Sequence, residues 1–142
     1  MSQIFGVDIR SEDIVESLSF FDSWEERYKY IIDLGKELPL IDAALKVEDN
    51  LVRGCQSQVW LSAEGDAGQL TFQVDSDAHI VKGLLAVVMA AFNGQSARKI
   101  LEFDIDGYFA ELDLVRHLSP TRGNGLRAMV QRIKDIAQAA AQ

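Results

Sequence analysis

The pattern of apolar and polar positions changes period twice along the chain. Near the start, Ile14, Val15, Leu18 and Phe21 form a short amphipathic group, with Ser11 as the expected N-cap. Trp24, Tyr28, Ile31, Gly35 and Leu38 then recur at steps of four and three, which is one helical face. Ser23-Trp24-Glu25-Glu26 has the capping-box form that opens such a helix, and Pro39 closes it. The middle alternates instead. Val59, Leu61 and Ala63 are interleaved with Gln58, Trp60 and Ser62, and Leu70, Phe72 and Val74 with Thr71 and Gln73. Both stretches predict strands, joined by a hairpin loop over Glu64-Gly65-Asp66-Ala67-Gly68, with Leu51-Val52 as a third short strand.

The helical period returns after Asp77. Ile80, Val81, Leu84, Leu85, Val87, Val88 and Phe92 are apolar nearly all round, which places that helix in the core. Ser76 or Asp77 is its expected cap, and Asn93-Gly94 its end. Short segments follow around Ala97–Leu101 and Tyr108–Leu114. Ser119 with Pro120 opens a last helix whose stripe is Leu126, Met129, Val130, Ile133 and Ala137. Helices, then a small antiparallel sheet of about three strands, then helices again predict an α+β fold rather than a βαβ alternation. No repeat or linker divides the chain, so 1–142 reads as a single domain.

Composition narrows the function. Lys plus Arg is 14 against 22 Asp plus Glu, a formal charge of −8. No cationic footprint for phosphates stands out, so nucleic acid is not an expected partner, and the acidic balance favours a basic protein partner. The start Met1-Ser2-Gln3-Ile4-Phe5-Gly6-Val7-Asp8 has no secretory pattern, and the apolar run Gly83 to Phe92 is too short for a membrane span. A cytoplasmic location, or an organelle stroma after processing, with no membrane, is expected. One cysteine, Cys55, forbids an internal disulfide and fits a reducing compartment. With only His79 and His117 besides, no familiar metal-ligand spacing is present, and neither a metal nor a cofactor is expected.

Cys55 follows Gly54 and precedes Gln56-Ser57-Gln58, so it falls in a polar turn between strands. A turn displays a side chain, and its N–H groups favour a thiolate. Composition and spacing leave a buried structural cysteine and a reactive thiol equally open. A hydrolytic use would require His79 or His117 beside it, yet both read as surface or helix-end histidines. Asp75 and Asp77 read as residues complementing a helix N-terminus. Arg122 sits in the first turn of the last helix, where its charge opposes the dipole; either a surface ion pair or a thiolate partner would account for it. Gly123 and Gly125 flank Asn124 without the full glycine pattern of a phosphate loop.

The segment Gly54-Cys55-Gln56-Ser57-Gln58-Val59-Trp60 resembles the active-cysteine motif of the SufE family, sulfur acceptors for PLP-dependent cysteine desulfurases in iron–sulfur cluster assembly. Three further blocks resemble it in the same order. They are Trp24-Glu25-Glu26-Arg27-Tyr28 with Ile31-Ile32-Asp33-Leu34-Gly35 and Leu38-Pro39, then Asp75-Ser76-Asp77-Ala78 into Ile80-Val81-Lys82-Gly83-Leu84, and finally His117-Leu118-Ser119-Pro120-Thr121-Arg122 with Gly125-Leu126 and Ala128-Met129. The Gln56-Ser57-Gln58 spelling is closer to SufE proper than to its paralogue CsdE. Where some members carry a charge after the aromatic pair matching Tyr108-Phe109, this chain has Ala110, then Glu111.

The resemblance implies an α+β fold shared with the IscU scaffold. It implies that Cys55 takes persulfide sulfur from a SufS-like desulfurase, stimulates that enzyme, and passes the sulfur to a SufB-containing (SufBCD-like) scaffold. Arg122 matches the family's arginine near the cysteine loop and is assigned a supporting role. Asp75 and Lys82 are assigned to structure or partner contact, and a homodimer is implied by the family alone. The alternative is a docking module of a CsdE-like or other sulfur-transfer pathway, with no obligatory covalent relay.

Overall fold

The computed structural model describes residues 4–142; Met1-Ser2-Gln3, part of the stretch read for a leader, lies outside the described residues. Two helices come first, α1 (Ser11–Ser19) and α2 (Trp24–Lys36), then a long irregular segment, then a hairpin of β1 (Val59–Asp66) and β2 (Gln69–Ser76). Four helices complete the chain: α3 (His79–Phe92), α4 (Ala97–Glu102), α5 (Ile105–Leu112) and α6 (Pro120–Ala141). The α+β class is as predicted.

The largely apolar α3 is the centre of the molecule: every residue from Gly83 to Phe92 is buried. Against it lies α2, through Ile31, Leu34 and Gly35. The two helices touch backbone to backbone where Gly35 meets Gly83. A Cβ on Gly35 would sit 2.6 Å from the Gly83 nitrogen, and one on Gly83 would strike the Ile31 carbonyl. The hairpin covers another side of α3 with Val59, Leu61, Leu70, Phe72 and Val74, and the predicted α6 stripe from Leu126 to Ala137 is buried as a whole.

Several local expectations are corrected. The strands pair antiparallel from Val59↔Ser76 to Asp66↔Gln69, so the hairpin turn is only Ala67-Gly68, held by the Gly68 N–H on the Asp66 carboxylate at 2.9 Å. Of the third strand only a bridge forms, Leu51 opposite Trp60, with the Val52 N–H donating to the Val59 carbonyl at 2.8 Å. Two residues bury too little to continue as a strand. Arg10, not Ser11, caps α1, which ends before Phe21. Ser23 and Ser119 do cap α2 and α6 through the Glu26 and Arg122 N–H groups. Of Asn93-Gly94 only Gly94 is left-handed; Asn93 is extended, and its buried amide accepts from Phe72 N–H at 2.7 Å and donates to the Phe5 carbonyl at 2.9 Å. Among the described residues, no helix is long and apolar enough to cross a membrane.

Candidate functional site

Between Pro39 and β1 the chain makes two single 3₁₀ turns, Ala43–Leu45 and Glu48–Asn50. The Leu51–Trp60 bridge then closes a six-residue turn, 53–58, that carries Cys55. Gly54 makes the turn with φ +92°, a conformation that only glycine adopts without strain. The exit of the turn is clamped by residues expected to cap α3. Ser76 Oγ donates to the Gln58 carbonyl at 2.7 Å, and Asp77 Oδ1 accepts from the Gln58 N–H at 3.0 Å. α3 instead starts from Ala78 with no side-chain cap. The strand runs two residues further than its apolar alternation, which moves Ser76 off the helix.

Asp75 is a strand residue, not a helix-dipole residue. Its carboxylate meets Lys46 Nζ at 2.6 Å and Lys82 Nζ at 3.6 Å, and the Lys46 ammonium lies 5.4 Å from the centre of the Trp60 ring. Burial pulls the Asp75 carboxyl upward, but the Lys46 hydrogen bond, the Ser76 N–H and the two ammonium charges outweigh it and hold it below the usual value. On the other side, Arg132 of α6 donates to the carbonyls of Asp49 at 3.1 Å and Leu51 at 3.4 Å. The irregular segment is thus pinned by point contacts to β2 and α6.

Cys55 is half-buried, with Sγ turned inward to donate to the Gly125 carbonyl at 3.5 Å. It lines a pocket of about 90 Å³ with Gln56, Ser57, Val81, Leu84, Thr121, Arg122, Gly125 and Met129. The turn therefore does not display the thiol to water as its polarity suggested. Burial pushes the thiol's pKa up, opposite to the lowering expected in an N–H-rich turn. A Cβ on Gly125 would stand 3.5 Å from Sγ, so the bare glycine leaves the space in front of the sulfur open.

Arg122 lines the same pocket, and its Nη1 donates to the Tyr28 hydroxyl at 3.4 Å. The structure thus brings together Cys55 and Arg122, two residues 67 apart in sequence (122 − 55). Neither histidine lines the pocket. His79 heads α3, and His117 stacks on Trp24 at 4.4 Å between ring centres. The base that a cysteine hydrolase requires is not beside the thiol. Among the described residues, no group of three His, Cys, Asp or Glu stands close enough to hold a metal ion. Trp24 and Tyr28 lie on the predicted helical face and pack half-buried against the core; Tyr28 meets Arg122, and Trp24 stacks on Tyr28 and His117. Their four-residue spacing carried the helix but no sign of what faced it.

The family profile for SufE, described as a Fe-S metabolism associated domain, matches residues 12–137. An uncharacterized SufE-like protein of Rhizobium meliloti (strain 1021) is 47% identical over 131 residues, covering 89% of this chain and 94% of the relative. One of Rhizobium etli is 43% identical over 131 residues, 89% of this chain and 88% of that protein. A hypothetical protein from Thermus thermophilus, solved in solution, superposes with a TM-score of 0.74 over 92% of this chain and 95% of its own, at 20% identity, and so shares the fold.

Proposed function

The chain belongs to the SufE family, and from that premise we propose that Cys55 is a persulfide carrier. It accepts the sulfane sulfur of a SufS-like, PLP-dependent cysteine desulfurase, stimulates that enzyme, and delivers the sulfur to a SufB-containing scaffold in the cytoplasm. The observation that carries this reading is a lone thiol facing a small pocket that it shares with a cation. In the transfer, Cys55 loses its thiol proton, which the departing desulfurase thiolate can take up, and the resulting thiolate attacks the outer sulfur of the donor persulfide. The donor S–S bond breaks, the desulfurase cysteine leaves as thiolate, and a new S–S bond forms on Cys55. Electrons and sulfur balance without an oxidant. A single acceptor cysteine suits the task, since a second one nearby would resolve the persulfide into a disulfide and release sulfide.

The pocket bears on storage. Its volume, about 90 Å³, leaves room for an added sulfur atom beside the walls Val81, Leu84 and Met129. These walls come from α3 and α6. Docking of the desulfurase must then favour an outward turn, a population shift driven by tighter binding of the exposed form.

The test is the mass of the protein after incubation with a desulfurase and cysteine. The native chain is expected to gain a reductant-labile sulfur atom at Cys55. Cys55→Ser is expected to fold, to bind the desulfurase and to gain nothing, with stimulation lost under mild reductant. Stimulation that survives Cys55→Ser would defeat the carrier reading in favour of the docking module.

A further inference from the structure

Arg122 is exposed on the first turn of α6, where an unanchored arginine spreads over many rotamers and seldom points at one spot. Two separate contacts to α2 restrict it. At its tip, Nη1 donates to Tyr28 Oη at 3.4 Å. At its root, the approach to α6 runs through a 3₁₀ turn ending at His117, two residues before the Ser119 cap. The His117 ring stacks on Trp24 at 4.4 Å with an 11° interplanar angle, and its Nε2 lies 3.2 Å from the Asp113 carboxylate, which also takes Arg116 at 2.8 Å. Trp24 in turn stacks on Tyr28, 6.4 Å away at 15°. Asp113, His117, Trp24, Tyr28 and Arg122 form one contiguous brace that ends at the Cys55 pocket.

We propose that Tyr28 and His117 are positioning residues that hold the Arg122 guanidinium at the mouth of the Cys55 pocket, where it receives anionic sulfur. Neither lines the pocket; both act through Arg122. The inference deepens the carrier reading and rests on it for its biological use, but its geometry is testable without any desulfurase.

The probe is a pair of alkylating reagents of nearly equal size, iodoacetate (anionic) and iodoacetamide (neutral). A cation fixed at the pocket mouth raises the local concentration of the anion, so the ratio of the two rates on Cys55 reads where Arg122 is. Arg122→Ala is expected to lower this ratio about two- to five-fold, the effect of one partly solvated charge. Tyr28→Phe, which keeps the ring stack, and His117→Ala are each expected to lower it in the same direction. Neither should lower it further in the Arg122→Ala background, because both act through the same group. Melting temperatures serve as the control for general destabilisation. An unchanged ratio in Arg122→Ala, Tyr28→Phe or His117→Ala, or a further fall in the double variants, overturns the proposal. Sulfur uptake from a desulfurase is measured on the same proteins. A native chain that takes no sulfur but shows the reagent pattern defeats the carrier reading and leaves the brace standing. Uptake with a ratio unmoved by Tyr28→Phe does the reverse.

Discussion

The contact between α2 and α3 and the segment carrying Cys55 are built in opposite ways. The helix pair is dry and continuous. α3 is buried over ten successive residues, and the two backbones meet at Gly35 and Gly83 with no room for a Cβ. The segment from Pro39 to Gln58 has no helix beyond two single turns. Apart from buried Val52 and the Leu51 bridge to β1, it is attached by individual polar contacts: Lys46 to Asp75, Arg132 to the Asp49 and Leu51 carbonyls, Ser76 and Asp77 to Gln58. Close packing resists gradual deformation, whereas point tethers release one at a time. A domain that must keep its shape while one turn changes its exposure is served by having both.

The largest expected effect breaks the rigid half. Gly83→Ala puts a methyl against the Ile31 carbonyl and 2.7 Å from Ile31 Cγ2. Backbone atoms cannot give way as a flexible side chain does, so the helices must separate. Overpacking of this kind costs about 1–3 kcal/mol or more, which for a domain of this size lowers the melting temperature by roughly 3–10 °C. Calorimetry checks it. Sulfur uptake per folded molecule is expected to stay near native, since the pocket is lined by other residues of α3. A variant as stable as the native chain would show that the glycine contact is not tight.

A smaller effect is expected from releasing one tether. Lys46→Met removes both the Asp75 ion pair and the ammonium over Trp60, while Asp75 keeps Lys82. Partly exposed ion pairs contribute about 0.5–1 kcal/mol, so the melting temperature should fall by only about 1–3 °C. The alkylation rate of Cys55 should rise about two- to five-fold as the turn opens more often. The sign with pH follows from the Asp75 carboxyl being held low. The contribution of this tether is fully present above the unfolded carboxylate value of about 3.9 and is lost as pH falls through the lowered folded value. Equal alkylation of native and Lys46→Met protein at neutral pH would mean that Lys46 does not govern the turn.

The same contrast explains what was legible in the sequence. Periodicity located α2, α3 and α6 and the residues they bury, because each helix presents its own stripe whatever it packs against. The Ser23 and Ser119 caps are equally local. The misread residues are those whose partners are distant. Ser76 and Asp77 have the right identity and place for a cap, but they bond to Gln58, 18 and 19 residues earlier. Lys46 carries no local pattern and gains meaning only opposite Asp75. His117 is the exposed, turn-end histidine that was expected, but its stacking on a tryptophan 93 residues away (117 − 24) had no local sign. Cys55 and Arg122 were picked out by motif resemblance; what no local signal carried was the inward direction of the thiol, set by where α6 crosses the turn.

The smallest expected effect concerns protons at the junction of the two regions. The Cys55 thiol points from the tethered segment into a cleft walled by α3 and α6, and burial raises its pKa. The folded state therefore favours the neutral thiol. The stability this contributes is fully present below the unfolded thiol value of about 8.5 and is lost as pH rises through the higher folded value. Because the group is only half-buried, the gain is small, and reactivity reads it better than melting does. The rate of iodoacetamide modification follows the thiolate fraction. Its midpoint in the native chain is expected above that of the same chain unfolded in urea. In Lys46→Met the midpoint should return part of the way, since a turn that spends more time open leaves the thiol in water. A native midpoint at or below that of the unfolded chain would mean that Arg122 and the N–H groups of the turn outweigh burial. The resting thiol would then ionise at least as readily as a free one, and docking would have to expose it without relieving any burial of its charge.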